Sequence, residues 1–310
     1  MHLNLSFDLS AAVRRVRRPA SVADASAIGA KVWKSFPYGN RLYRYDGAAL
    51  QANWARLHRG DREPFPSATR IERLVRHNPA LAEHVRDPAR TAACLEQAWR
   101  AYHAGDFAES VHFAQDAGVA GTMVAVRAAA VYAAHVEDQD DRRLKILREA
   151  TEAAEELVQV APVWANAWYA FGLAVGRYSQ NLSVMKALTL GFGGKVRDSF
   201  LRALALEPDH ADAHLALGVY HAEVVDKVGS VVGALSHHAR RDAVEHHFEL
   251  ARRLTPDSPI VLAEYAKARM LAFGAAQFGR AYGLFQEAAA CRPVDALERL
   301  DVELAKRELI

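Results

Sequence analysis

Trp168-x-x-Phe171-Gly172, followed by Phe200-x-x-Ala203-x4-Pro208, returns further along the chain as His214-x-x-Leu217-Gly218 and Phe248-x-x-Ala251-x4-Pro256. The two glycines lie 46 residues apart and the two prolines 48, a period at which helical hairpins stack on one another. The logic is steric. Glycine on one helix and alanine on the next let two backbones approach closely, and proline opens the following turn. Outward from this pair, Ala281-x3-Phe285-x2-Ala288-x4-Pro293 repeats the second half once more. Residues 92–117 read as a helix, a Gly105-Asp106-Phe107 turn and a second helix, and residues 122–135 and 142–160 form another pair. The acidic run Glu137 to Asp141 stands where a helix N-terminus favours negative charge.

The composition agrees. Of 310 residues, 51% are hydrophobic and 25% charged, as in an ordinary folded chain. Alanine is abundant, no run of alternating β-branched residues stands out, and Gly and Pro fall between runs of helical period. The expectation is an all-α protein: a right-handed α-solenoid over 91–310, closed by a capping helix over 294–309 and preceded by an N-terminal helical segment over 1–90 that packs on it. Two cysteines, Cys94 and Cys291, offer neither a disulfide framework nor a CxxC metal pattern and are read as small buried residues. Residues 1–19 carry four arginines but no apolar stretch of signal-peptide type, and no run reaches the roughly 20 apolar residues of a membrane span. A cytoplasmic location is expected.

Net charge is +2, divided unevenly: about +8 over residues 1–90 and about −6 over the rest. Within the basic part, helices are predicted over 22–34 and 48–58, around a turn-rich stretch with Phe36, Tyr38, Tyr43 and Tyr45 interleaved with Arg41 and Arg44. Such a mixture can stack bases or clamp an acidic peptide. The preferred reading is aromatic packing under arginine stems, so nucleic acid is not the favoured partner.

The Trp-x-x-Phe-Gly and Ala-x3-aromatic-x2-Ala-x4-Pro elements resemble the tetratricopeptide repeat (TPR), over about residues 92–295. The resemblance implies a TPR-like solenoid that binds along a face, and it does not assign one function. In an ordinary TPR about 16 residues separate the glycine from the second-helix aromatic. Here 28 separate Gly172 from Phe200 and 30 separate Gly218 from Phe248. The added segments centre on 182–192 and 228–235, both apolar and glycine-bearing. They are expected to pack within the chain, to join copies into a homo-oligomer, or to roof a groove for a small apolar ligand. Elongated repeats of this sort are similar to those of the T-component proteins of tripartite ATP-independent periplasmic transporters and, more distantly, of regulator-of-microtubule-dynamics proteins. The first resemblance implies a periplasmic lipoprotein with a hydrophobic cavity. It departs here in lacking an N-terminal lipobox cysteine, since the first cysteine is Cys94.

TPR geometry implies the candidate site. Counting from Trp168 places Asn166, Tyr169 and Arg177 on the solenoid's inner face, with Gln180 and Asn181 just beyond. Counting from His214 places Asp212 and Glu223, with Asp226 and Lys227 beyond. These residues either bind a partner or pair internally, Arg177 with Glu223 or Asp226. The leading reading is a non-enzymatic protein that binds a protein or peptide partner in this groove, and the alternative is a carrier or sensor of a small apolar ligand. No metal or other cofactor is expected: His210, His214 and His221 lack a completing carboxylate pattern, and Gly191 to Lys195 lacks the features of a phosphate loop. No catalytic constellation is evident.

Overall fold

Helices begin and end where local chemistry dictates. The computed structural model describes residues 28–30, 32–229, 233 and 238–310, and every regular element among them is helical. Helix α1 (Ala49–Leu57) and α2 (Ala68–His77) are followed by α3 (Pro88–Ala104). Asp87 caps α3, its side chain accepting from Arg90 N at 3.0 Å, and Pro88 occupies the first turn. Gly105 ends it with φ of 82° beside the Phe36 ring, where a side chain would collide. Helices α4 (Phe107–Asp116), α5 (Thr122–His135), α6 (Asp140–Val160) and α7 (Ala165–Gln180) continue the zigzag, and Asp140 and Asp141 occupy the first turn of α6.

The two long repeats are α7 with α9 (Phe192–Leu206), and α10 (Ala211–Val228) with α11 (Arg241–Leu254). A Cβ on Gly172 would come within 2.7 Å of the Phe200 ring, and one on Gly218 within 2.7 Å of Phe248. The glycines are therefore the condition for these pairs to close, and Phe200 and Phe248 are 3% and 0% exposed. Helices α12 (Pro259–Phe273) and α13 (Phe278–Ala290) form the next pair, and α14 (Ala296–Arg307) closes the array, capped by the Asp295 side chain on Glu298 N. The observed architecture is the expected TPR-like α-solenoid.

The first added segment contains helix α8 (Val184–Thr189) and turns into α9 through Gly191 at φ of 65°. Phe192 and Val196 are buried, and Leu182 packs against the main core. Of the second, residues 230–232 and 234–237 lie outside the described residues. So does the arginine-rich start of the chain, together with most of the helix expected over 22–34; residues 28–30 and 32–34 are not helical.

Residues 28–30 and 32–66 run back over and into the solenoid. Trp33 stacks on Tyr132, with centroids 4.2 Å apart, and Tyr45 Oη donates to Val294 O. Trp54 is buried against His58 and Trp99. These rings, which could have formed a stacking platform, are engaged by the chain itself. Both cysteines are half-buried rather than fully enclosed. Among the described residues no helix is long and apolar enough to cross a membrane.

Candidate ligand-binding chamber

Helix α5 is buried almost all round, and in its middle, between Val126 and Ala128, stands Arg127. A guanidinium there must find partners, and a stretch of chain threaded through the solenoid supplies one. Arg127 Nη1 lies 2.6 Å from Asp61 Oδ2, and its Nη2 lies 3.5 Å from Asp212 Oδ2 on α10. The Trp99, Tyr102 and Tyr169 rings surround it at 5.7, 5.9 and 5.3 Å from their centroids.

The threaded stretch is held by its backbone as well. Asp212 N donates to Gly60 O at 3.1 Å, and Asn166 Nδ2 donates to Asp61 O at 3.0 Å and to Glu63 Oε2 at 2.7 Å. A Cβ at residue 60 would meet Asp212 Oδ1, so a larger residue there would push that carboxylate aside. Trp54 Nε1 and Trp164 Nε1 donate to Glu63 O and Glu63 Oε2. Arg56 ties the stretch to Glu298 at 3.1 Å, and both Arg56 and Arg59 pair with Asp257.

A chain of imidazoles and carboxylates crosses the interior beside it. His58 Nδ1 meets Asp61 at 3.0 Å, His103 Nδ1 meets Asp295 Oδ2 at 2.8 Å, and the two Nε2 atoms lie 3.2 Å apart. Burial pulls the His58 ring below its ordinary value, against the pull of Asp61. Burial would raise Asp61, but His58 and Arg127 outweigh it and hold that carboxyl well below the usual range. Asp212 is shifted the other way: burial raises it, Arg127 opposes, and the Asp61 charge adds to the rise.

Beyond Gly60 the concave space stays open as a chamber of about 490 Å³, within the range of roughly 300–1,000 Å³ in which pockets enclose small molecules. Leu173, Val196, Leu215 and Val219 form apolar wall, and Leu182 and Phe192 bring the first added segment to it. Tyr169, Arg177, Gln180, Asp212, Glu223 and Lys227 all line it. Asn166 lies behind the threaded stretch, 3% exposed and bonded to His210 Nε2 at 2.9 Å. Asn181 lines a separate small cleft, and Asp226 is exposed outside both. Arg177 and Glu223 do not pair directly. Arg177 donates to Gln180 Oε1 at 3.3 Å, Gln180 Nε2 donates to Glu223 Oε1 at 2.6 Å, and Lys227 Nζ reaches Glu223 Oε2 at 3.3 Å.

Sequence reasoning missed Arg127, His58, Asp61, His103 and Asp301. One signal was present: an arginine inside the apolar run Met123-Val-Ala-Val-Arg127-Ala-Ala-Ala-Val131 marks a buried charge that needs a counter-ion. Asp61 sits in a polar loop and offered none.

The histidines of the second long repeat form their own cluster. His214 Nδ1 lies 3.0 Å from His247 Nδ1, and His221 stacks on His247 at 5.7 Å. Burial holds His221 down to about 4, and burial with His214 and His221 holds His247 down to about 3. His210 caps α10, its Nδ1 accepting from Ala213 N. Among the described residues no group of three or more His, Cys, Asp or Glu is arranged to hold a metal ion.

Residues 115–257 match the family model of RMD1-3, regulator of microtubule dynamics protein 1-3. No curated protein matches the chain. Among solved structures, TTC0263, a thermophilic TPR protein of Thermus thermophilus, is 16% identical with a TM-score of 0.50, over 70% of this chain and 99% of that one. The MamA protein is 16% identical with a TM-score of 0.35, over 71% of this chain and 97% of its own. The first likeness supports the TPR-like fold.

Proposed function

We propose that the chain is a non-enzymatic helical-repeat binding protein that takes a small, apolar-bodied ligand into the chamber inside its solenoid. The observation that carries this reading is the chamber itself: about 490 Å³, walled by Leu173, Leu215 and Val219, with residues of an added segment on its boundary. A plain solenoid groove needs no such segment. Residues 91–310 supply the repeat domain in this reading, with residues 1–90 as the segment that narrows its groove, and the setting is cytoplasmic.

A protein partner is the second reading, favoured by a different observation. The concave face grips residues 58–63 through the carbonyls of Gly60 and Asp61, the way a groove holds an extended peptide. A partner segment would compete with this stretch or continue it toward Gln180 and Lys227.

Native mass spectrometry of gently purified protein tests the first reading. A bound small-molecule mass that disappears in Leu173→Trp is the expected result. Ligand-free protein that also shows no thermal shift with octyl-chain probes would overturn it. Charge reversal at Arg177 and Lys227 tests the second: partner recovery in a pull-down falls while helicity is retained, and unchanged recovery removes those residues from the interface.

A further inference from the structure

We infer that the chamber selects a ligand carrying a cationic nitrogen on its apolar body, and that Asp301 receives that nitrogen. The inference rests on reading the chamber as a ligand site and adds the chemical class of its occupant.

Pairing among the lining charges leaves one acid out. Asp61 and Asp212 share Arg127, Glu298 takes Arg56, and Glu223 takes Lys227. Asp295 faces His103 at 2.8 Å, and Glu264 faces Lys267 at 3.4 Å. Asp301, on α14, lines the same chamber at 1% exposure, and its Oδ1 has no hydrogen-bond partner. His135 Nε2 stands off at 4.0 Å. Burial, aided by Arg177, Lys267 and Arg307, holds that ring down to about 3, so it is a neutral neighbour at ordinary pH.

A buried acceptor without a donor is the group in a site that gains most from a ligand's N–H. The charges around it choose the sign. Burial and the carboxylates of Asp295, Glu264 and Glu298 push the Asp301 carboxyl well above the usual range, with Arg177 pulling the other way. The neighbouring carboxylates of Asp295, Glu264 and Glu298 favour a cation at this carboxyl: an arriving ammonium lets Asp301 release its proton to solvent and ionise beside it, whereas a carboxylate ligand would be repelled. Arg177 is the remaining lining cation without an acid partner, but it is only half-buried and already bonded to Gln180, so it is not left buried and unpartnered.

Isothermal titration with octylammonium, octan-1-ol and octanoate separates the possibilities, because the three share one chain and differ in the head group. The expected result is binding of octylammonium at least ten-fold tighter than the alcohol and the carboxylate. Asp301→Asn should remove most of that preference while leaving octanol affinity within two-fold. Equal affinity for ammonium and alcohol, tighter binding of octanoate, or an undiminished preference in folded Asp301→Asn would overturn the assignment and leave the chamber standing. Absence of binding by all three would instead remove the chamber reading beneath it. The comparison within the unaltered protein decides the ligand class even if Asp301→Asn does not fold.

Discussion

Arg127 and Asp61, on a helix and on a loop 66 residues earlier in the chain, meet at 2.6 Å with side chains 9% and 2% exposed. Neither residue would be stable there alone. The pair joins the threaded stretch to the most buried helix of the solenoid, and it forms part of the chamber boundary.

Arg127→Met leaves Asp61 as a buried charge without its guanidinium, a change that costs roughly 3–5 kcal/mol. Urea denaturation should show a loss of that order. The double variant Arg127→Met with Asp61→Asn should recover part of it, because only Asp212, the more distant of the two acids at 3.5 Å, then lacks its guanidinium. A single variant within about 1 kcal/mol of the parent would show that the pair is not what secures the stretch.

Gly218→Ala tests the close approach of α10 and α11. Alanine is the better helix former by about 1 kcal/mol, yet its Cβ would press on the fully buried Phe248 ring. Overpacking of this kind costs about 1–3 kcal/mol, so a net loss of stability is expected. Combining it with Phe248→Leu should cost less than the two single losses added together, since the smaller side chain relieves the contact. A gain in stability from Gly218→Ala alone would show that the helices separate freely.

Acid should destabilise the protein through its neutral histidines. The folded values of His210 and His221 are near 4 and those of His135 and His247 near 3, in each case chiefly from burial. An unfolded histidine titrates near 6.5. Below that value the unfolded chain binds protons that the folded chain refuses, so stability falls as pH drops from about 6.5 toward 4. Asp301 opposes this, because its raised carboxyl keeps a proton in the fold that the unfolded chain releases. The denaturation midpoint should drop between pH 7 and pH 5, and His247→Gln should lose less over that interval. An equal loss in His247→Gln would remove this ring from the acid response.

The repeat was legible because its determinants are local and periodic. Gly172, Phe200, Gly218 and Phe248 stand at matching positions of the two units, and the TPR resemblance pointed to Tyr169, Arg177, Asp212 and Glu223, with Gln180 just beyond, all of which line the chamber. The helix ends were equally readable, since Asp87, Pro88, Gly105 and Asp295 act on neighbours a few residues away.

The sequence alone therefore determined an all-helical solenoid and the period of its long repeats, because short-range sterics and helical period are written in consecutive residues. Only the tertiary structure decided that residues 56–63 enter that face, that Arg127 finds Asp61 and Asp212 there, and that Asp301 is left without a donor. Those relationships join residues dozens to hundreds of positions apart. They arise from which buried charges can be paired in three dimensions, and no local periodicity encodes that.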